Sequence, residues 1–253
     1  MDLGLKGLNA VVSGGTRGIG RAIAETLARE GANVSICARN ADEVSKTVDA
    51  LKAGGGKAHG KIVDVADAGA LSGWVEESAN AFGGLDIVVA NVSALAINQD
   101  EESWQKEFEV DMMGTVRMVN AAMPWLEKSE AASIVAVASV SGREVDFAAG
   151  PYGTFKAALI HYVQGLAYQL AGKAIRANTL SPGNTYFPGG VWEQIENGNP
   201  DLFKTALDLN PSGRMGTPQE MANGAVFLAS PAASFVSGTN LVVDGALTRG
   251  VQF

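Results

Sequence analysis

Seven apolar runs of strand length, at 8–13, 33–38, 58–63, 85–91, 132–139, 175–180 and 240–243, alternate along this chain with amphipathic helical segments. Strands separated each time by a helix cannot pair as hairpins, because the helix carries the chain back along the sheet. They lie parallel, with helices covering both faces. The expected fold is α/β, a doubly wound, parallel, seven-stranded sheet. No Pro- or Ser-rich linker, charge block or internal repeat interrupts the alternation, so residues 1–253 read as one domain large enough to bury a substantial core.

The net charge of −8, from 19 basic and 27 acidic residues, has the wrong sign for nucleic acid or an anionic membrane as main partner. Small-molecule chemistry fits better. No apolar run approaches the roughly 18 residues of a membrane span. The segment Met-Asp-Leu-Gly-Leu-Lys lacks the basic-then-apolar order of a leader, so a soluble, cytoplasmic protein is expected. A single cysteine, Cys37, allows no intramolecular disulfide and sits in an apolar run, as a buried inert thiol would. His59 and His161 have no ligand spacing, and no metal is expected.

The first strand runs into Ser13-Gly-Gly-Thr-Arg-Gly-Ile-Gly20, followed by a helical pattern at 21–30. Gly14, Gly18 and Gly20 permit a tight turn, close approach to a pyrophosphate and close helix–sheet packing. Thr16, Arg17 and Ile19 complete the loop, and the helix N-terminus supplies amides to the anion. Strand, glycine loop and helix in this order make the sheet Rossmann-like, although the glycine spacing is three then one rather than the commoner one then two. The Gly54-Gly55-Gly56 run, between helix and strand, reads instead as a C-cap and turn. The second strand ends Cys37-Ala38-Arg39-Asn40, without the carboxylate that would hold a ribose 2′-hydroxyl. Arg39 and Arg17 suit a 2′-phosphate instead, which favours NADP(H) over NAD. Asn40 is the expected N-cap of the next helix, with Asp42 and Glu43 as first-turn acids. Asp64-Val65 follows the third strand, where the carboxylate can accept from an adenine amine or cap a helix, and Asn91 ends the fourth strand.

The chemistry is expected between residues 139 and 156. Tyr152 and Lys156 are four apart and share one face of a long helical pattern. At about 4 Å and an effective dielectric of about 20, the attraction between Lys156 and a phenolate is on the order of 4 kcal/mol. This would lower a tyrosine from about 10 towards 7 at most. Ser139, at the end of the fifth strand, can reach the same substrate oxygen.

Taken together these residues resemble the short-chain dehydrogenase/reductase family over nearly the whole chain. The match rests on Gly14-x-x-x-Gly18-x-Gly20, Asp64, Asn91, Ser139, Tyr152-x-x-x-Lys156, Asn178, Pro182-Gly183 and Val243-Asp244-Gly245. The resemblance implies Tyr152 as acid/base and Ser139 as the group polarising the substrate oxygen. Lys156 would bind the nicotinamide ribose and tune Tyr152, and the cofactor would supply the hydride. It also implies a homotetramer paired through helices at 102–126 and 150–171. Three departures stand out: Asp111 replaces the family's usual Asn of a proton relay, Ala90-Asn91-Val92-Ser93 keeps one residue of Asn-Asn-Ala-Gly, and Phe187 stands where a carboxamide-binding Thr is common, with Thr185 two residues early.

The segment 184–214 breaks the alternation and carries Tyr186, Phe187, Trp192 and Phe203, which suggests a lid over an apolar or ringed substrate; the same aromatics can also pack within the lid itself. Val145 and Phe147 are expected to add to that pocket, Arg143 and Glu144 to meet a polar tail. Met112, Met113, Val116 and Val119 form an apolar helix face, expected as core or subunit contact. The expected activity is an NADP(H)-dependent interconversion of a ketone and a bulky secondary alcohol. The alternatives are reduction of a 3-oxoacyl thioester on an acyl-carrier protein, for which 127–130 and 169–173 lack the basic patch an acidic partner needs, and a cofactor-binding sensor without turnover.

Overall fold

The computed structural model describes residues 2–251. Its sheet contains β1 (Asn9–Ser13), β2 (Asn33–Ala38), β3 (Ala58–Ile62), β4 (Ile87–Ala90), β5 (Ser133–Val137), β6 (Arg176–Pro182) and β7 (Asn240–Val243). The order is β3-β2-β1-β4-β5-β6-β7 and every pairing is parallel. The seven strands lie where the apolar runs place them, some shorter by one to three residues, with β6 prolonged to Pro182.

Alternation along each strand divides two cores. Val11 and Val88 face one side, where Leu71 and Trp74 of α3 (Ala68–Phe82), Met118 and Val119 of α5 (Gly114–Leu126) and Val163 of α6 (Pro151–Leu170) pack. Ala10, Val12, Ile87 and Val89 face the other, against Ile23 and Leu27 of α1 (Gly18–Arg29) and Val226 of α9 (Pro218–Ala229). The chain leaves β1 towards β2 and later returns to place β4 on β1's opposite edge. The carboxyl ends of β1 and β4 therefore open a crevice at a topological switch point.

Several local expectations hold. Asn40 caps α2 (Ala41–Lys52) by accepting from Glu43 N at 3.1 Å, and Gly55 turns the chain beyond that helix at φ 89°. Cys37 is buried, and desolvation pushes its thiol up to about 12. His59 meets Ser35 Oγ at 3.0 Å, and Ser35 also joins Ser78 and the indole of Trp74, a satisfied buried polar group.

Other expectations require correction. Residues 102–126 are not one regular helix: α4 (Glu101–Glu107) passes through a π-helical turn, Phe108–Met113, before α5. The wide turn rotates the register, so Met118 and Val119 are buried whereas Met112, Met113 and Val116 are only half-buried. Asp67, not Asp64, caps α3. Val145 is 93% exposed and does not line the cleft. Glu144 Oε1 accepts from the amides of Arg249 and Gly250 at 3.1 and 3.0 Å, so it holds the C-terminal segment rather than a substrate tail.

Candidate active site

The glycine loop is held from beneath by the end of β4. Asn91 Nδ2 donates to the carbonyls of Ser13 and Gly14 at 3.1 and 3.3 Å, while Asn91 N donates to Ser13 Oγ at 3.0 Å. Gly14 sits at φ 65°, and a methyl on Gly20 would collide with Asn91 Nδ2 and the Gly14 carbonyl. These contacts explain the need for glycine at both positions. Asn91 thus braces the loop in addition to facing the cleft. At the N-terminus of α1 no side chain caps the first amides, unlike α2, α3, α4 and α9, which leaves them to an incoming anion.

A cleft of about 740 Å³ begins at this loop. Gly14, Thr16, Arg17, Gly18, Ile19, Gly20, Arg39, Asp64, Val65 and Asn91 line it, and so do Ser139, Tyr152, Lys156, Pro182, Gly183 and Thr185. Asp111 does not line the cleft and is fully buried. Arg17 and Arg39 are exposed. Thr16 Oγ1 donates to Glu43 Oε2 at 2.9 Å, which brings this helix acid to the cleft, a placement the sequence did not disclose. Asp64 Oδ1 accepts from Ala66 N at 3.0 Å. A methyl on Gly183 would come within 2.7 Å of Asp244 Cβ, so β6 and β7 close tightly at this edge. Thr185 donates to Gly183 O at 3.0 Å, and the Phe187 ring lies against Gly18. Asn178 binds Val236 O and Thr239 N, tying the β6–β7 connection rather than reaching the cleft.

Lys156 is 2% exposed. Its ammonium donates to Val137 O at 3.0 Å, lies 2.9 Å from Asp111 Oδ2 and stands 5.5 Å from the Tyr152 ring centroid. Burial lowers the lysine, but Asp111, Tyr152 and Glu107 together outweigh it, and the group is held above its ordinary value. Tyr152 does not move towards neutrality. Burial raises it, Lys156 and the Ser139 hydroxyl pull it down, and Asp111 and Glu107 raise it further. The expected depression is thus overturned, because desolvation exceeds the single ammonium and two acids stand behind that ammonium. Ser139 Oγ accepts from Ser141 N at 3.2 Å, which fixes its position after β5.

Glu107 is the residue sequence reasoning missed. It is fully buried, accepts from Ala96 N and is pushed up to about 8 by burial and by the neighbouring Asp111. The available signal was an acid four residues before Asp111 within an apolar pattern. The lid contains α7 (Val191–Gly198) and α8 (Pro200–Leu209). Tyr186 and Phe203 pack with Trp192, Ala206 and Met215 in a core of its own, whereas Phe187 and Trp192 also line the cleft, and Phe147 meets Trp192 edge-on at 5.8 Å. Among the described residues no group of three or more His, Cys, Asp and Glu is placed to hold a metal, and no helix is long and apolar enough to cross a membrane.

A profile of the family described as Enoyl-(Acyl carrier protein) reductase matches residues 14–248. Isoepoxydon dehydrogenase of Penicillium expansum is 44% identical over 259 residues, covering 100% of this chain and 99% of the relative. Dehydrogenase/reductase SDR family member 4 of Oryctolagus cuniculus is 34% identical over 93% of this chain and 92% of its own length. Among solved structures, L-sorbose reductase from Gluconobacter frateurii, complexed with NADPH and L-sorbose, superposes with a TM-score of 0.91 at 29% identity, covering 99% of this chain and 100% of that one. A 7α-hydroxysteroid dehydrogenase complexed with NADH reaches 0.85 at 29% identity, over 97% and 96%.

Proposed function

We propose that this chain, which belongs to the short-chain dehydrogenase/reductase family and so acts on CH–OH groups, uses NADP(H) to interconvert a ringed secondary alcohol and its ketone. One observation carries the reading: Ser139, Tyr152 and Lys156 line the same cleft as the glycine loop. The loop fits a dinucleotide, since Gly14 and Gly20 let it pack closely on Asn91 and the α1 amides have no capping side chain. Arg17 and Arg39, exposed on the lining of the cleft, suit a 2′-phosphate, and the NADPH-bound L-sorbose reductase supports the same choice. The nicotinamide, when bound, supplies or accepts the hydride.

The side chains then divide the work. Ser139 steadies the substrate oxygen, and Tyr152 donates a proton as charge develops there. Lys156 holds the Tyr152 ring and orients the ribose. The raised phenol favours the protonated form, which suits it as the acid of a reduction. Trp192 and Phe187 offer flat apolar surface to a ring. Isoepoxydon, named in the relative from Penicillium expansum, is the first substrate to try. The carrier-protein alternative has less support, because Lys173, which would have to receive an acidic partner, is paired with Glu127 at 2.6 Å. The protein is further proposed to be a cytoplasmic, single-domain homotetramer.

The test is cofactor consumption by the purified protein with isoepoxydon and NADP, and with aryl ketones, quinones and β-keto thioesters and NADPH. Turnover of a ringed substrate, reduced by about 100-fold or more in Tyr152→Phe, is expected. Unchanged turnover in that variant would overturn the assignment of Tyr152, and activity only on the thioester would overturn the ringed substrate.

A further inference from the structure

Glu107 immediately precedes the π-helical turn and Asp111 lies within it, both 0% exposed. They are anchored alike: Ala96 N donates to Glu107 Oε1, and Ala94 N donates to Asp111 Oδ1 at 2.8 Å. Between those two alanines Leu95 is held at φ 52°, a left-handed conformation that costs a leucine roughly 1–2 kcal/mol. The strained residue lets both amides point inward. The second oxygens, Glu107 Oε2 and Asp111 Oδ2, are buried, and neither finds a well-aligned hydrogen-bond donor, although the Lys156 ammonium lies 2.9 Å from Asp111 Oδ2.

Charge decides the protonation. Two carboxylates against one ammonium would leave a net negative charge in a dry pocket, where an unpaired ion costs several kcal/mol. Two acids sharing one site keep one proton between them. A hydrogen on Glu107 Oε2, donated towards Asp111, gives the unpaired Glu107 oxygen a partner and leaves the two acids with the single negative charge that Lys156 balances. The titratable groups acting on Glu107 are Asp111 within the turn and Lys156 from α6, and Glu107 in turn acts on Tyr152; the 94–96 loop contributes only amides.

We propose that Glu107 is a positioning residue of the proton-transfer machinery: it holds one proton shared with Asp111, so that the acid pair presents a single negative charge to Lys156 and thereby sets how readily Tyr152 releases its proton. The elevated Glu107 carboxyl agrees with this reading. Ionising Glu107 would add a second negative charge behind Lys156 and hold Tyr152 protonated to higher pH. Its importance for turnover rests on the oxidoreductase reading, but its test does not.

The first measurement is infrared spectroscopy of the wild-type protein labelled with ¹³C-glutamate. A protonated-carboxyl band that shifts with the label should be present at neutral pH, fade as pH rises through about 8 and be missing from Glu107→Gln. Its absence from the wild type at neutral pH would overturn the proposal even if the variant fails to fold. The second measurement follows phenolate absorbance in the NADP-bound protein as the difference between each form and its Tyr152→Phe counterpart. In Glu107→Gln no second negative charge can form behind Lys156, so Tyr152 should ionise lower by about half a pH unit. Superimposable titrations would sink the coupling to Tyr152. Neither readout needs a substrate, so a failed substrate panel and a failed proposal are told apart.

Discussion

Asp111 Oδ2 lies 2.9 Å from Lys156 Nζ, and the two side chains are 0% and 2% exposed. A buried ion pair of this kind is expensive to break from one side, because the remaining charge is left without a partner. The single variant Asp111→Asn has a rescuer in Glu107, which can ionise in its place. The double variant Glu107→Gln/Asp111→Asn has none, and should lose about 3–5 kcal/mol of stability, clearly more than the sum of the singles. Urea denaturation of the four proteins checks this, and additive losses would show that Glu107 does not substitute.

The pH dependence of stability follows from the same acid. The Glu107 carboxyl is raised from 4.5 to about 8, so between those values the folded protein binds a proton that the unfolded chain does not. Its contribution is fully present below pH 4.5 and is lost as pH rises through 8. The wild type should therefore lose stability progressively as pH rises from about 4.5 to about 8. The slope over that window should be shallower in Glu107→Gln when urea midpoints are compared from about pH 5 to about 8.

Arg17 and Arg39 are exposed on the lining of the cleft, where a guanidinium gains more from a phosphate than from a hydroxyl. Arg39→Ala should weaken NADPH binding by about 10- to 100-fold while leaving NADH within a few-fold. Titration of cofactor fluorescence measures both, and equal losses would argue that the arginine does not read the 2′ position.

Gly20 shows how closely the loop is packed. Within α1 an alanine would ordinarily be favoured, yet here its methyl meets Asn91 Nδ2 and the Gly14 carbonyl. Gly20→Ala should cost roughly 1–3 kcal/mol of stability, together with cofactor affinity, as the loop shifts to relieve the clash. Thermal melts with and without NADPH separate the two effects.

Trp192 is 5% exposed and joins the lid's own core to the cleft, touching Phe147 and Phe203 at ring separations of 5.8 and 6.5 Å. Trp192→Ala should raise KM for a ringed substrate about tenfold or more and leave cofactor affinity within twofold, because the indole belongs to the lid and not to the glycine loop. Steady-state kinetics with the preferred ketone decide the point.

Local rules carried the parts of the protein that depend on neighbours in the chain. The β1–loop–α1 unit was legible because glycines between an apolar run and an amphipathic helix admit few backbones, and Asn40 was legible as a cap because its bond to Glu43 N spans three residues. Tyr152 and Lys156 were legible as a pair for the same reason: a helix puts i and i+4 together whatever surrounds it.

What that pair experiences was decided elsewhere. The descent of Tyr152 was expected from Lys156 alone, but the phenol's value depends on desolvation and on Asp111 and Glu107, which reach it from a different helix. The π-turn that sets their register, the exposure of Val145 and the tie of Glu144 to Arg249 likewise arise from packing between distant segments. By itself the sequence determined the order of strands and helices, the glycine loop and the pairing of Tyr152 with Lys156, since these follow from backbone geometry and short-range spacing. Only the tertiary structure decided how many buried charges face Lys156, because electrostatic energy in a dry interior depends on distance through space rather than along the chain.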